Sequence, residues 1–502
     1  MISCLILILA VSDSNAANKN QPAEGQQPPN IVLIIADDMA WNDCGACGHP
    51  DIRTPNIDKL AEEGMMFQQA YLTTSSCSPS RASIITGTYP HQTDAEQLHW
   101  EIPPDKITFV EKMKASGYWT GQAGKWHLGD HMKDRFDFLA EANTDELRKT
   151  YGELPANDGS GSNLWVPLLE YRPDDRPFFL WLAASDPHRG YRKGAIEQPH
   201  TADDVVLPPY VPDTDEVRKD FAMYYDEISR LDQYVGKVVE TLEKQGVSDN
   251  TIILFISDNG RPFPRDKTTL YDSGIKTPFI VKWPERVKAG TETASLVSSV
   301  DIAPTFLSLA GIEAENNFVG NDFSPVLEDV KTEIRSHVYS QAHWHDVENF
   351  VRSVRDRKFK YIRNFFNDLP GTPPADALNS LTFGEMLRLK AEGRLDEHQM
   401  APFIQPRPEE ELYDVSSDPH ELNNLVEDPE FQTVLKRMRD ELKSFMLEYD
   451  DGVPVLRTPD EFHRTTGASL PNNKLPRPSK EEMFNGCDCL YKSASELFQQ
   501  LD

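Results

Sequence analysis

Basic residues are in short supply in this sequence. Lys and Arg number 51 against 81 Asp and Glu, a formal net charge of −30 over 502 residues. A surface of that sign repels phosphate backbones, so a nucleic-acid partner is not expected. Cysteine is scarce too: six residues are too few to staple a chain of this length. Cys44 and Cys47 form a Cys-x-x-Cys and Cys487 and Cys489 a Cys-x-Cys, without the context of a zinc knuckle; spacing alone leaves their pairing open. No apolar run reaches the ~18 residues of a membrane span, so none is expected. The short run over 4–11 is followed by Ser14-Asn15-Ala16-Ala17. It reads as a signal peptide over 1–17, although it lacks the usual basic residues ahead of it, with a Gln/Pro-rich linker over 18–29. The expected location is therefore periplasmic or secreted.

What is present is the pattern of an α/β protein. Asn30–Ala36 is a continuous apolar run, the mark of a strand covered on both faces, and it ends in Asp37-Asp38. Residues 178–184 repeat the pattern and end in Ser185-Asp186-Pro187-His188-Arg189. Residues 251–257 repeat it again and end in Asp258-Asn259-Gly260. A weaker strand over 118–123 leads into Gly124-Lys125-Trp126-His127, where Lys125 and His127 would share a face of an extended segment. Ligands of open α/β sheets gather at the carboxyl ends of strands. One polar strand end is an ordinary turn, whereas four suggest a common rim.

Helices are predicted near 54–63, over 104–116, over 217–245 with an apolar stripe from Phe221 to Leu242, and over 304–310. Beyond them the chain changes character. Segments 338–340, 351–354, 358–363 and 411–414 read as a second, antiparallel sheet. Segment 370–408 is Pro-rich with a helical piece over 383–395, and 431–446 is a terminal amphipathic helix. These readings divide the chain into a catalytic domain over 30–332, a smaller α+β domain over 333–447 and an irregular tail over 448–502.

The stretch Cys77-Ser78-Pro79-Ser80-Arg81-Ala82-Ser83-Ile84-Ile85-Thr86-Gly87 stands apart. Pro79 suits the first turn of a helix and Gly87 its end. Cys77 would then lie at a helix N-terminus, a natural anion site, with Arg81 one turn away and able to fork onto an oxyanion. The all-oxygen set Asp37, Asp38, Asp258 and Asn259 favours a hard cation, calcium, with magnesium as the alternative.

The Cys77–Gly87 pattern resembles the signature of the formylglycine-dependent sulfatase family, with Ile85 at a position that is usually Leu. Gly124–Gly129 resembles a second sulfatase motif. Within the family the chain looks most like the N-sulfoglucosamine sulfohydrolase (sulfamidase) group. That likeness is carried by Ser75-Ser76-Cys77, His91-Gln92, Leu98-His99, Asp186–Arg189, Ser257–Gly260, Ser340-Gln341 with His343, and Glu411–Asp414. Lys267 departs from it, since sulfamidases resemble an Arg there; Trp344-His345-Asp346 and 370–408 also differ.

The resemblance implies an alkaline-phosphatase-like fold: a large mixed sheet flanked by helices, with a smaller C-terminal domain. It implies that a maturase oxidises Cys77 to formylglycine, and that the hydrate supplies a metal-bound oxygen and a nucleophile. Arg81, Lys125 and Lys267 would neutralise sulfate oxygens. His188 would protonate the leaving atom, and His127 would take the proton that lets sulfate leave. Asp186, Arg189, His99 and His343 would read the sugar. The expected substrate is a sulfated sugar or oligosaccharide, attacked from a chain end. The alternatives are an O-sulfatase on another sulfated polysaccharide, a phosphate or phosphonate monoester hydrolase of the same fold, and a non-catalytic glycan binder.

Overall fold

The computed structural model describes residues 28–314, 317–454, 456–471 and 491–501. The expected signal peptide, most of the linker, and Cys487 and Cys489 lie outside the described residues.

An eight-stranded mixed sheet forms the centre. Its strands are β1 (Asn30–Ala36), β2 (Met65–Tyr71), β3 (Trp119–Gly124), β4 (Phe138–Leu139), β5 (Phe178–Ala183), β6 (Thr251–Ser257), β7 (Phe279–Lys282) and β8 (Thr291–Ser298). They lie in the order β4-β3-β5-β1-β6-β7-β2-β8. The four neighbours β3, β5, β1 and β6 are mutually parallel. Their carboxyl ends, which carry the polar clusters, therefore share one rim. β7 runs antiparallel between β6 and β2.

β1 shows why its sequence is apolar throughout. Val32, Ile34 and Ala36 enter one core and Ile31, Leu33 and Ile35 the other. Each of the Val, Leu and Ile side chains among them, fully buried, stabilises the fold by roughly 1.5–3 kcal/mol. The first face is covered by the helix Asp215–Lys244, through Phe221, Ile228, Leu231, Val235, Val238 and Leu242. The second is covered by the helices Cys77–Thr86, Phe109–Ala115 and Ile302–Leu309.

A second sheet follows, antiparallel, of β9 (Val338–Ala342), β10 (Val351–Arg355), β11 (Phe359–Asn364) and β12 (Glu410–Asp414). The helix Gln432–Glu448 packs against it through Leu435, Met438, Leu442 and Phe445. A buried ion network fastens this sheet to the catalytic layer. Arg355 holds Asp272 at 2.7 and 2.8 Å, and Lys360 lies 2.7 Å from Glu421.

The structure departs from the sequence reading at a helix boundary and in two strands. The helix expected over 104–116 begins only at Phe109, because Thr108 caps it, its side chain accepting from Glu111 N. The strands β2 and β8 were not foreseen; Gln68, Gln69 and Glu292 break their apolar pattern. The irregular tail is tied back at two points. Asp451 is forked by Arg352 at 2.6 and 2.7 Å, and Pro459 O accepts from Trp344 Nε1. Cys44 and Cys47, whose pairing the sequence left open, are joined by a disulfide.

Candidate active site

Cys77 occupies the first turn of a helix whose ten residues are all buried and whose C-cap, Gly87, has φ +60°. Such a helix has no amphipathic stripe, because both its faces meet protein. Cys77 is a free thiol with Sγ 3.7 Å from Asp38 Oδ1. Burial pushes its proton affinity well up, against the pull of Lys125 and Lys267, so as a thiol it is a poor nucleophile.

The ends of β1 and β6 meet beside it. Asp38 takes the left-handed conformation (φ 72°), which Asp tolerates, and turns back over the strand ends. Its backbone N–H donates to Asp258 Oδ1 at 3.2 Å, and Asn259 Nδ2 donates to its Oδ1 at 2.6 Å. Asp37, Asp38, Asp258 and Asn259 are all buried. Lys125 Nζ lies 2.5 Å from Asp37 Oδ2 and Lys267 Nζ 2.8 Å from Asp38 Oδ2. Burial alone would raise Asp37; Lys125, with Arg81 and Lys267 nearby, holds it well below the usual carboxylate range.

Two buried oxygens here, Asp37 Oδ1 and Asn259 Oδ1, have no hydrogen-bond partner. Buried acceptors without partners are costly. Together with the all-oxygen donor set, they are what a site built for a hard cation would show. Asp37, Cys77 and Asp258 also place ligand atoms within 4.8 Å of one another. Asp38, His188 and Asp376 form a similar group, but there the ammonium of Lys267 already bridges Asp38 and Asp376, at 2.8 and 3.1 Å.

Arg81 lies in the site, its Nε 2.9 Å from Asp258 Oδ2 and its Nη1 3.2 Å from Lys125 O. Lys125 and His127 do not sit on one extended strand. His127 has φ 54°, and its Nε2 meets His99 Nδ1 at 2.8 Å. Burial, then Lys125 and Arg81, lowers the pKa of His127, so it is a neutral imidazole at neutral pH. His188 is partly open, with Nδ1 3.0 Å from Arg189 O and Nε2 3.8 Å from Asp38 and 3.6 Å from Asp376.

The sugar-reading residues fare differently. Asp186 is buried with both oxygens held by Arg230 at 2.6 and 2.8 Å. Arg189 forks onto Asp220 at 2.8 and 3.0 Å and donates to Pro262 O. Both hold the loop that presents His188. His99 belongs to the His127 pair. His343 packs edge-on against Phe350, with Nε2 3.5 Å from Gln341.

Two residues of the site were missed. His345 Nδ1 lies 2.7 Å from Ser76 Oγ, one residue before Cys77. Asp376, on the short helix Ala375–Leu378, reaches Lys267 and His188. It stems from the Pro-rich segment, where no spacing or strand end marks it.

The site is thus an oxygen-rich rim of a mixed α/β sheet around a helix-borne cysteine. The family model described as Sulfatase matches residues 29–312, and one described as N-sulphoglucosamine sulphohydrolase, C-terminal matches residues 263–371. An ulvan-active sulfatase of Formosa agariphila is 34% identical over 461 residues, covering 84% of this chain and 75% of that protein. The human N-sulphoglucosamine sulphohydrolase is 32% identical over 474 residues, covering 86% and 92%. A solved structure in complex with its substrate D-glucosamine-2-N,6-O-disulfate superposes with a TM-score of 0.65 at 20% identity, covering 85% and 99%. The chain belongs to the sulfatase family. It is a hydrolase of sulfate esters or sulfamates.

Proposed function

We propose that the chain removes sulfate from glucosamine-bearing glycans, one terminal residue at a time, using a formylglycine made from Cys77. The observation that carries this reading is the position of Cys77: a helix N-terminus, 3.7 Å from Asp38, beside three carboxylates compensated by Arg81, Lys125 and Lys267. The match of 263–371 to the sulphohydrolase C-terminal model and the coverage of the human relative support glucosamine as the sugar.

Asp37, Asp38, Asp258 and Asn259 would hold one divalent cation, calcium or magnesium, which when bound polarises the sulfate and lowers the pKa of a nearby hydroxyl. A maturase would oxidise Cys77, and the hydrated aldehyde would provide the nucleophile. Lys125 and Lys267 steady the sulfate oxygens as charge shifts in the transition state. His188 passes its proton to the leaving nitrogen or oxygen as the bond to sulfur breaks. His127 would accept the proton whose loss frees the sulfate. Arg81 acts at one remove, by holding Asp258.

Chain-end action agrees with charge. At −30 the protein repels a long polyanion, and the cations of the site are few and local. The N-terminal run over 1–17 would export the protein to the periplasm or beyond.

The relative of 34% identity acts on ulvan, which favours a second reading, an O-sulfatase on another sulfated polysaccharide. Sulfate release from defined N-, 2-O-, 3-O- and 6-O-sulfated glucosamine saccharides, alongside ulvan oligomers, separates the two. The glucosamine reading expects release from the terminal glucosamine of at least one saccharide and none from ulvan. Release from ulvan alone would overturn it.

A further inference from the structure

We propose that Asp376 makes this site select singly charged sulfuryl groups over doubly charged phosphoryl groups. The inference rests on the placement of the sulfate beside Lys267 and His188 given above.

Asp376 is built into the site. The helix that carries it, Ala375–Leu378, is tied at its start, Ala375 N donating to Asp346 Oδ2 at 2.9 Å. The next helix, Leu381–Ala391, is tied as well. Thr382 donates through N and Oγ1 to Asp220 Oδ2 at 3.1 and 2.7 Å, and Asp220 holds Arg189 beside His188. Between these tethers the Asp376 carboxylate stands 3.1 Å from Lys267 Nζ and 3.6 Å from His188 Nε2. Burial would raise its pKa, but Lys267 and further positive neighbours hold it below the usual range, so it is charged at neutral pH.

An anion gripped by Lys267 and His188 therefore sits beside a fixed negative charge. Coulomb repulsion scales with the charge of the anion. A sulfate monoester or sulfamate carries one negative charge and a phosphate monoester at pH 8 carries two, so the phosphoryl group meets about twice the penalty. Its partners, Lys267 and His188, are the groups that meet the sulfate, so its charge lies beside the anion that the substrate must bring in.

The test uses full-length, formylglycine-bearing protein with nitrophenyl sulfate and nitrophenyl phosphate at pH 8. The readout is the ratio of their kcat/KM values in the parent and in Asp376→Asn. The parent should favour sulfate strongly, and the variant should lower the ratio by roughly tenfold or more, the order expected for one partly screened charge at close range. A ratio unchanged within about twofold, with both rates altered together, would overturn the proposal. Should the variant fail to fold, inhibition of the parent decides: phenylsulfonate, a monoanion, must bind more tightly than phenylphosphonate, a dianion at this pH. Equal or reversed affinities would sink the idea. Neither arm uses a sugar, so the glucosamine assignment can fail while this inference stands, and the reverse.

Discussion

Arg81 is forked onto Asp258: its Nε lies 2.9 Å and its Nη2 2.7 Å from the same carboxylate oxygen, Oδ2. Both side chains are fully buried. The arginine of the Cys-x-Pro-x-Arg motif thus compensates a candidate metal ligand. Burial nonetheless holds Asp258 above the usual carboxylate range, and Asp37 and Asp38 add to the rise.

Removing Arg81 should leave a buried charge unpaired. Arg81→Ala is expected to destabilise the protein by about 3–5 kcal/mol. Adding Asp258→Asn should restore most of that loss, since the charge to be compensated is then gone. Thermal or denaturant unfolding of the two single variants and the double variant measures this. Additive losses in the double variant would mean that the two residues act independently.

His188 should matter most where the leaving group is poor. Its Nε2 faces the site and its loop is held by the Arg189–Asp220 fork. His188→Ala is expected to lower kcat/KM on a sulfated sugar by about 10²–10⁴-fold, the usual range for a general acid. Nitrophenyl sulfate, whose leaving group needs little protonation, should lose far less. Equal losses on both substrates would assign His188 another task.

Stability should depend on pH through Glu348. This carboxyl is buried and accepts from Asn349 N and Thr458 N. Burial outweighs those bonds and, with Asp460 close by, raises its pKa from 4.5 to about 7. A carboxyl that holds its proton more tightly in the folded state favours folding fully below about pH 4.5. That contribution is lost as the pH rises through about 7. Its size is on the order of 3 kcal/mol. Glu348→Gln should therefore flatten the melting temperature between pH 5 and 8 and raise it at pH 8. Parallel curves for parent and variant would refute the assignment.

The elements that were legible in the sequence are those whose signal is local. β1, β5 and β6 are unbroken apolar runs because both their faces are covered, and their carboxyl ends carry Asp37-Asp38, Asp186 and Asp258-Asn259. The helix at Cys77 was legible from Pro79 and Gly87. What was not legible depends on partners far along the chain. Asp186 looks like a rim residue until Arg230 closes on it, and Arg189 until Asp220 does. Asp376 is 109 residues from Lys267, and nothing in 370–408 points toward the rim. His127 appeared to extend β3, but its positive φ turns it onto His99.

The most direct test concerns residue 77 itself. Burial disfavours the Cys77 thiolate, and the proposed mechanism requires formylglycine at this position. Peptide mass spectrometry of active protein from a host with the maturase should show the –CH2SH of Cys77 replaced by –CHO, in a fraction that tracks specific activity. Full sulfate-releasing activity in protein whose Cys77 remains an intact thiol would contradict the mechanism.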